Sequence, residues 1–277
     1  MKKLICTVAA LCAVLLLFGA QFSRSAGDDI QVKLNGDPVT LSRCPERHYG
    51  EANEQLYVPL LSFCEMMGAK TVIWDPDTET AIGVFRDFAI DASADDCYLT
   101  ANGRCLYTGG GHVALSDDLM VPADVLCRAL DARCRYEETT HTLFVTAGTG
   151  RITAGSEYYP EEDLFWLASI IYAEAGTESM TGKIAVGNVV MNRVKCTGFP
   201  DTIYGVIFDR NGGVQFEPVL NGTVYNSPTE ECFTAAKLAM DGASPVGECL
   251  FFSSIWDCWA AETRTYYMTI GRHYFFL

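Results

Sequence analysis

The chain has 277 residues and a formal net charge of −15 at pH 7. This negative balance argues against a nucleic acid or an anionic membrane surface as partner, because both would repel the protein. Its composition is that of an ordinary globular protein, with 49% hydrophobic residues and no low-complexity segment. The length is sufficient for two modest domains, each with its own core.

The N-terminus has the order of a secretory signal peptide. Two lysines precede an apolar run from Leu4 to about Ala20, after which come small residues and then acidic ones. The apolar run is short for a membrane span. We expect cleavage between Ala20 and Ala26, so that residues 1–26 form the signal peptide and the mature chain is free of the membrane. An uncleaved anchor is the alternative interpretation.

The chain contains twelve cysteines. Two fall in the expected signal peptide, six lie between there and residue 150, and four follow. Even counts in each half of an exported chain predict disulfides within each half, although the connectivity does not follow from sequence. Zinc is the competing interpretation, but the sequence has no C-x-x-C pair and only four histidines. We therefore predict disulfides, no metal site and no cofactor.

The first half of the chain repeats itself. Residues 56–84 and 119–147 share a Val-Pro step, a cysteine five residues later, a β-rich stretch, a polar turn and another strand. An Asn-Gly step interrupts a strand pattern upstream of each, in "VKLNGDPV" and "LTANGRCL". Both positions of Asn-Gly accept positive φ, so the step predicts a hairpin. Each repeat is therefore predicted to contain a hairpin, a short helix and a second hairpin.

The strings "VKLNGDPV", "LYVPLLSFCEMMGA" and "VIWDPDTETAIGV" resemble the N-terminal domain family of copper amine oxidases. The resemblance covers residues 28–147 and implies a β-rich module on an exported protein. It does not imply copper, and we interpret the module as a spacer or substrate-docking unit without chemistry. Residues 148–160, which are rich in glycine, serine and threonine, are predicted to form the linker.

A helix is predicted after Pro160, with three acidic residues in its first turn. Leu167, Ile171 and Glu174 lie on one face, and beyond the first turn the helix is apolar nearly all round. That pattern is typical of a central buried helix. Gly176 is expected to supply a left-handed C-cap, which would place Glu174 at the end of the helix.

Glu174 is the candidate catalytic residue. The negative end of the helix dipole and apolar neighbours should both raise its pKa. A protonated carboxyl in an apolar cleft is what cleavage of a glycosidic bond requires at the leaving oxygen. The alternative is a salt bridge from Glu174 to Arg193 or Lys183, and the residues alone favour neither interpretation.

The following segments carry candidate substrate contacts. Asn192 lies on a second predicted helix and could line a sugar site, although such asparagines more often join helices. The stretch "TGFPDTIYGVIFDRNGGVQFEPVLNGTVY" mixes glycines, aromatics and amides and ends at Tyr225. Carbohydrate clefts favour this mixture, because aromatic faces stack on sugars while amides bind hydroxyl and N-acetyl groups. The C-terminal residues alternate as in a terminal hairpin.

The strings "YAEAGTESMTGKIAVGNVVMNRV", "GFPDTIYGVIF", "QFEPVLNGT", "CLFFSS" and "IGRHYFF" resemble the SleB/CwlJ-type cell wall hydrolases, which include spore-cortex-lytic enzymes. The resemblance covers residues 161–277. It implies a mainly α, lysozyme-like (transglycosylase-like) domain with a small β-hairpin, so that the whole chain is α+β. The glutamate of the A-E-A motif, Glu174, corresponds to the family's catalytic acid. The string "GGVQF" is similar to resuscitation-promoting factors, which makes Gln215 and Phe216 candidates for the substrate wall.

The implied substrate is the peptidoglycan glycan strand, cleaved between N-acetylmuramic acid and N-acetylglucosamine. The implied location is the cell wall or spore envelope. A lytic transglycosylase needs one acid, which first protonates the leaving oxygen and then accepts the C6 hydroxyl proton to close a 1,6-anhydro ring. Hydrolysis would need a second carboxylate. The available choices are Glu178, which we also place among the substrate-binding candidates, and Asp201, Asp209 and Glu217.

Two other classes of function remain open. An amidase or peptidase acting on the stem peptide would use zinc or a cysteine, together with His273 as the histidine of this half. A protein that binds the wall without cleaving it is the second possibility. The single histidine of this half argues against a zinc site. The retention of Glu174 in an otherwise matching site argues against a protein that only binds the wall.

Overall fold

A computed structural model describes residues 29–49 and 54–277 of the chain. The predicted signal peptide, residues 1–26, lies outside these residues. The described chain is a mixed α+β structure, with a β-rich N-terminal part and a mostly helical C-terminal part. No helix in the described ranges is both long enough and apolar enough to cross a membrane.

The N-terminal part is built from short strands and two short helices. In chain order these are β1 (Gln31–Leu34), β2 (Asp37–Val39), β3 (Glu46–Tyr49), β4 (Glu54–Pro59), α1 (Leu60–Met66), β5 (Thr71–Asp75), β6 (Thr80–Val84), β7 (Ala89–Ser93), β8 (Tyr98–Ala101), β9 (Arg104–Tyr107), β10 (Val113–Ala114), β11 (Leu119–Pro122), α2 (Ala123–Ala129), β12 (Arg133–Glu137) and β13 (Thr142–Thr146).

Both repeats follow the predicted order of hairpin, helix and hairpin, and the two predicted Asn-Gly turns form. Asn35 and Gly36 have φ of 53° and 98°, and Asn102 and Gly103 have φ of 51° and 78°. Positive φ at both central positions is the geometry that matches the twist of the flanking strands.

The repeats interlock instead of folding separately. One sheet has the order β12-β13-β1-β2, and another has the order β5-β6-β7-β8-β9. Each repeat therefore contributes one hairpin to each sheet. In a further sheet, β4 of the first repeat pairs antiparallel with β11 of the second. Val58 lies opposite Val121, its equivalent in the other repeat. The two Val-Pro steps thus meet at an approximate two-fold axis, which the sequence repeat did not indicate.

The repeated cysteine of each Val-Pro helix is a core residue. Cys64 and Cys127 are both buried in one cluster with Phe63 and Leu126. Gly83 on β6 lies so close to Cys64 that a Cβ added there would meet the sulfur at 2.6 Å. The recurring cysteine therefore packs as a small hydrophobic residue between helix and sheet.

None of the ten cysteines in the described ranges is in a disulfide in this structure. The predicted disulfides therefore remain a prediction, which the structure makes more specific. The thiol of Cys127 on α2 hydrogen-bonds that of Cys134 on β12.

We expect Cys127 and Cys134 to be joined when the protein is exported into an oxidising compartment, because their sulfurs are already in contact. Closing this short loop should raise the free energy of unfolding by about 2 kcal/mol. Peptide mapping by mass spectrometry without reduction checks the link. Recovery of both residues as alkylated free thiols from secreted, unreduced protein would contradict it.

The C-terminal part contains α3 (Gly155–Tyr158), α4 (Glu161–Ala175), α5 (Met180–Lys195), α6 (Ile203–Ile207), α7 (Glu217–Asn221), a 3₁₀ turn (Thr223–Tyr225), α8 (Glu230–Met240), β14 (Phe251–Ser253), α9 (Trp259–Thr263), β15 (Tyr266–Ile270) and β16 (His273–Phe276). Helices α4, α5 and α8 pack on one another. Gly187 on α5 permits this, since a Cβ there would meet Ile171 at 2.9 Å and Ala239 at 3.1 Å. The predicted terminal hairpin is β15–β16, which β14 extends to three strands.

A buried polar contact joins the two parts. Arg104 at the start of β9 forms a salt bridge with Asp241, and Tyr159 donates its hydroxyl hydrogen to the same carboxylate. The segment predicted as a linker includes α3, whose Gly155 amide donates to the carbonyl of Asn102. A side chain at Gly155 would meet the carbonyl oxygen of Gly103 at 2.2 Å, so this approach requires glycine.

Candidate active site

Helix α4 is the central buried helix that the sequence predicts. Glu161, Glu162 and Asp163 occupy its first turn, where the helix dipole favours negative charge. Leu167 and Ile171 are fully buried. Glu174 follows in the last turn, where α4 leaves the core.

A cleft of about 540 Å³ opens beside this end of α4. Two carboxylates, Glu174 and Glu217, face it, together with hydroxyl, amide and guanidinium groups. Its lining residues are Tyr172, Ala173, Glu174, Gly176, Thr177, Glu217, Pro218, Asn221, Thr223, Asn226 and Arg272. This mixture suits a polyhydroxylated ligand, because it offers hydrogen-bond donors and acceptors around one acid.

The predicted rise in the pKa of Glu174 is confirmed. Burial, and then the negative charge of Glu217, raise the pKa of the Glu174 carboxyl from 4.5 to about 7. About half of the molecules would therefore hold the proton at pH 7. Glu217 is one of the predicted candidates for a second carboxylate, and its effect on the pKa of Glu174 arises only in the folded chain.

The left-handed C-cap predicted at Gly176 is wrong. Gly176 has φ −55° and ψ −27°, which is right-handed helical geometry. Glycine is required there for a different reason, since a Cβ would meet the Tyr172 carbonyl oxygen at 2.6 Å and the Tyr172 ring at 3.2 Å. The chain therefore turns tightly around Tyr172 as it leaves α4.

The alternative salt bridges of Glu174 do not form. Lys183 Nζ instead lies 2.7 Å from Glu231 Oε2 and donates to the carbonyl of Glu178. Arg193 Nε donates to the carbonyl of Leu250 at 2.7 Å. Within the described part of the chain, Glu174 has no arginine or lysine partner, so its carboxyl is available to a ligand.

Glu178 lies close to the cleft and binds Arg272, which lines it. The Arg272 Nε donates to Glu178 Oε1 at 2.8 Å, and its Nη2 donates to the Thr177 hydroxyl at 2.6 Å. This contact keeps the pKa of Glu178 below its usual value. Glu178 thus fixes the β15–β16 turn against the start of α5, and it does not line the cleft itself. Its predicted contact with substrate remains a prediction.

Three other predicted substrate contacts lie away from the Glu174 cleft. Asn192 donates to the carbonyls of Gly247 and Cys249, at 2.8 and 3.0 Å, and so fastens α5 to the loop after α8. Phe216 is only 2% exposed and packs in the core. Gln215 lines a separate cleft, and its Oε1 lies 3.5 Å from Arg193 Nη1.

Tyr225 is the predicted contact best placed for a large substrate. It is 65% exposed, and its neighbours Thr223 and Asn226 line the Glu174 cleft. Its ring also contacts Trp166 at a centroid distance of 6.1 Å. Tyr225 therefore belongs to an aromatic surface beside the cleft.

Sequence reasoning missed several lining residues that form one group. Asn221, Thr223 and Asn226 face the cleft from the "NGTVYN" segment. The sequence feature that could have indicated them is the group of amide and hydroxyl side chains at and just after the end of α7. Arg272 could not have been anticipated, because only the folded chain brings the terminal hairpin to the end of α4.

Two family models match the chain. Residues 177–276 match the family described as Cell Wall Hydrolase, and residues 33–145 match the Copper amine oxidase N-terminal domain. The first match begins three residues after Glu174, so the assignment of that residue depends on the geometry of the cleft.

Curated proteins described as spore cortex-lytic enzymes match part of the chain. A spore cortex-lytic enzyme of Bacillus cereus is 33% identical over 123 residues, which are 42% of this chain and 45% of that protein. One from Oceanobacillus iheyensis is 32% identical over 136 residues, covering 47% and 46%. The chain thus spans about half the length of these curated relatives.

Among solved structures, the catalytic domain of the germination-specific lytic transglycosylase SleB from Bacillus anthracis matches with 30% identity and a TM-score of 0.40. The match covers 46% of this chain and all of that domain. Residues 177–276 belong to the SleB-type cell wall hydrolase family, and residues 33–145 are a copper amine oxidase N-terminal domain.

Proposed function

We propose that this chain is a secreted peptidoglycan glycosidase that cleaves the β-1,4 bond between N-acetylmuramic acid and N-acetylglucosamine. We further propose a lytic transglycosylase mechanism and a lysozyme-like fold for residues 161–277. The observation that carries this proposal is Glu174. Its carboxyl has a raised pKa, faces an open polar cleft and has no cationic partner among the described residues.

In the proposed mechanism, the protonated Glu174 carboxyl donates its hydrogen to the glycosidic oxygen as the C1–O bond of the muramic acid residue breaks. The resulting carboxylate then accepts the proton of the C6 hydroxyl. That oxygen attacks C1 from within the same sugar and closes the 1,6-anhydro ring, which restores the acid. A pKa of about 7 suits both halves of this cycle near neutral pH.

Glu217 is the available partner for the hydrolytic alternative, since it is the other carboxylate that lines the cleft. As a general base it would activate a water molecule, and the product would have an ordinary reducing end. Digestion of purified peptidoglycan followed by mass spectrometry separates the two routes. We expect products 18 Da lighter than the hydrolytic ones, about the mass of one water; reducing ends alone would contradict transglycosylation.

We expect the alkaline limb of the pH profile of kcat/KM to fall with a midpoint near pH 7. Only protonated Glu174 can act as the acid, so activity is lost as the pH rises through the pKa of about 7. In Glu217→Gln the midpoint should move to lower pH, because a charge that raises the pKa of Glu174 is removed. Initial rates of turbidity loss between pH 5 and 9 measure both profiles. A midpoint that is unchanged in the variant would contradict the coupling.

The organisation of the chain around this site is also a proposal. Residues 1–26 would direct export and be removed, so that the enzyme acts in the cell wall or spore envelope. Residues 28–147 would form a docking or spacing module, residues 148–160 its connection, and residues 161–277 the catalytic domain. The salt bridge between Arg104 and Asp241 would hold the two parts in one orientation.

A further inference from the structure

A second cleft, of about 570 Å³, lies in the C-terminal part beside β14 and α9. Its lining includes Arg193, Arg264, Gln215, Phe251 and Trp259, but not Glu174 or Glu217. None of the described residues that line it is an aspartate or a glutamate. In a chain of net charge −15, a cleft with two guanidinium groups and no carboxylate is a local reversal of charge.

Both arginines contact the same aromatic ring. The guanidinium carbon of Arg193 lies 5.4 Å from the Phe251 ring centroid, and that of Arg264 lies 4.8 Å from the same centroid. Arg264 also contacts the Trp259 ring at 4.8 Å. Cation–π contacts of this kind orient a guanidinium but leave its net charge uncompensated. Each arginine can therefore still pair with an anionic group of a ligand in this cleft.

Burial of the charged Arg193 side chain in this position costs free energy. Arg193 is 5% exposed, and its guanidinium group donates to the Leu250 carbonyl and to the Gln215 amide oxygen. Burial lowers the pKa of Arg193 to about 10, and the charge of Asp209 offsets only part of this effect. Three aromatic rings contact this guanidinium group, but no carboxylate of the described residues pairs with it directly, so an anionic ligand would stabilise it.

The position of Gln215 relates the two clefts. Phe216 between Gln215 and Glu217 has extended backbone geometry, with φ −130° and ψ 121°. Alternate residues of an extended segment face the same side, about 7 Å apart. Gln215 lines the second cleft and Glu217 lines the first. A short peptide branching from a sugar at Glu174 could therefore reach the arginines.

We propose that this second cleft binds the free carboxylates of the stem peptide that branches from the glycan strand. The inference rests on the proposed function, because that function supplies a peptide-bearing substrate. Arg193 and Arg264 would hold the carboxylates, since guanidinium groups match carboxylate geometry. The exposed Trp259 would pack against the apolar side chains of the peptide. Gln215, whose amide hydrogen-bonds Arg193, Asn211 and Gly213, would fix the wall of the cleft. The arginines would thus determine preference for peptide-bearing strands without touching the cleaved bond.

The test compares native peptidoglycan strands with strands whose peptide carboxylates have been converted to neutral methylamides. We expect the KM of the unmodified protein to be about tenfold lower on native strands than on methylamide strands. This is the effect expected when one hydrogen bond to a charged group is lost. Arg264→Gln should reduce this difference by raising KM on native strands, while kcat stays unchanged. Arg210→Gln, which removes an exposed charge outside the cleft lining, should retain it. Equal KM values for the unmodified protein, or an equal effect of Arg264→Gln on both substrates, would overturn the inference.

Titration of free stem tetrapeptide into the full-length protein, followed by calorimetry, separates this inference from the proposed function. If neither strand is cleaved, the proposed function fails. In that case saturable tetrapeptide binding that is lost in Arg264→Gln still supports the site, and absence of binding overturns it. Displacement of the tetrapeptide by polyglycerol phosphate at lower concentration would overturn the peptide assignment in favour of an anionic wall polymer. Circular dichroism of Arg264→Gln establishes that the exposed substitution leaves the fold intact.

Discussion

Replacing Glu174 with glutamine is expected to reduce the rate of peptidoglycan cleavage by about 10²- to 10⁴-fold, the usual contribution of a general acid. Glutamine keeps the size and polarity of the side chain but cannot donate a proton to the leaving oxygen. The rate of turbidity loss from a peptidoglycan suspension gives the measurement. Glu162→Gln is the matched control, because it makes the same change at an exposed position of the same helix.

The same variant has a second readout that does not depend on activity. The carboxyl of Glu174 has a higher pKa in the folded protein than the 4.5 of an unperturbed glutamate, so the folded state favours its protonated form. The stability associated with this proton is fully present below about pH 4.5 and is lost as the pH rises through about 7.

Glu174→Gln should therefore unfold at a higher denaturant concentration than the unmodified protein at pH 8, with a gain of up to about 3 kcal/mol. The gain should be small at pH 4.5. Chemical denaturation at the two pH values measures it. Full lytic activity in Glu174→Gln, or a stability difference that does not depend on pH, would contradict the role assigned to this residue.

Replacing Asp241 with alanine is expected to lower the free energy of unfolding by about 3 to 5 kcal/mol, because it leaves the buried charge of Arg104 without its partner. The side chains of Arg104 and Asp241 are 10% and 1% exposed. Asp241 also accepts the hydroxyl hydrogen of Tyr159, whose pKa is raised by burial and by this contact. The substitution thus removes the acceptor of two buried donors.

Urea denaturation monitored by tryptophan fluorescence measures this loss. Glu138→Ala provides the control, because Glu138 is 68% exposed in its salt bridge with Arg47, and removal of an exposed partner should cost less than about 1 kcal/mol. If the two variants lose comparable free energy of unfolding, the contact between Arg104 and Asp241 does not stabilise the association of the two parts of the chain.

Local patterns predicted much of the fold. The two Asn-Gly turns, the helix after each Val-Pro step, the buried α4 and the terminal hairpin follow from residues that are neighbours in the chain. Their geometry is set by φ preferences, hydrophobic periodicity and alternation. Glu174 was a candidate acid for the same reason, since a carboxylate at the end of an apolar helix is a local feature, but the residues alone did not favour that role over a salt bridge. The exception was Gly176, whose role depends on the path of the chain around Tyr172.

Long-range pairing could not be read from the sequence. The repeats share their sheets because the hydrophobic faces of four hairpins are buried together, which no single repeat specifies. Asn192 and Phe216 had the residue types of a sugar site, but packing directs one to backbone carbonyls and the other into the core. The positions of Arg272 and Arg264 depend on where the C-terminal hairpin docks.

The sequence by itself determined that the chain has a β-rich repeated part, a helical part and one acid at the end of a buried helix, because these features arise from short-range periodicity. Only the tertiary structure decided that Glu217 faces this acid, that Glu178 is bound to Arg272, and that two arginines share a cleft. Charges far apart along the chain interact appreciably only when folding brings them within about 10 Å of each other, and the folded arrangement of the helices creates that proximity.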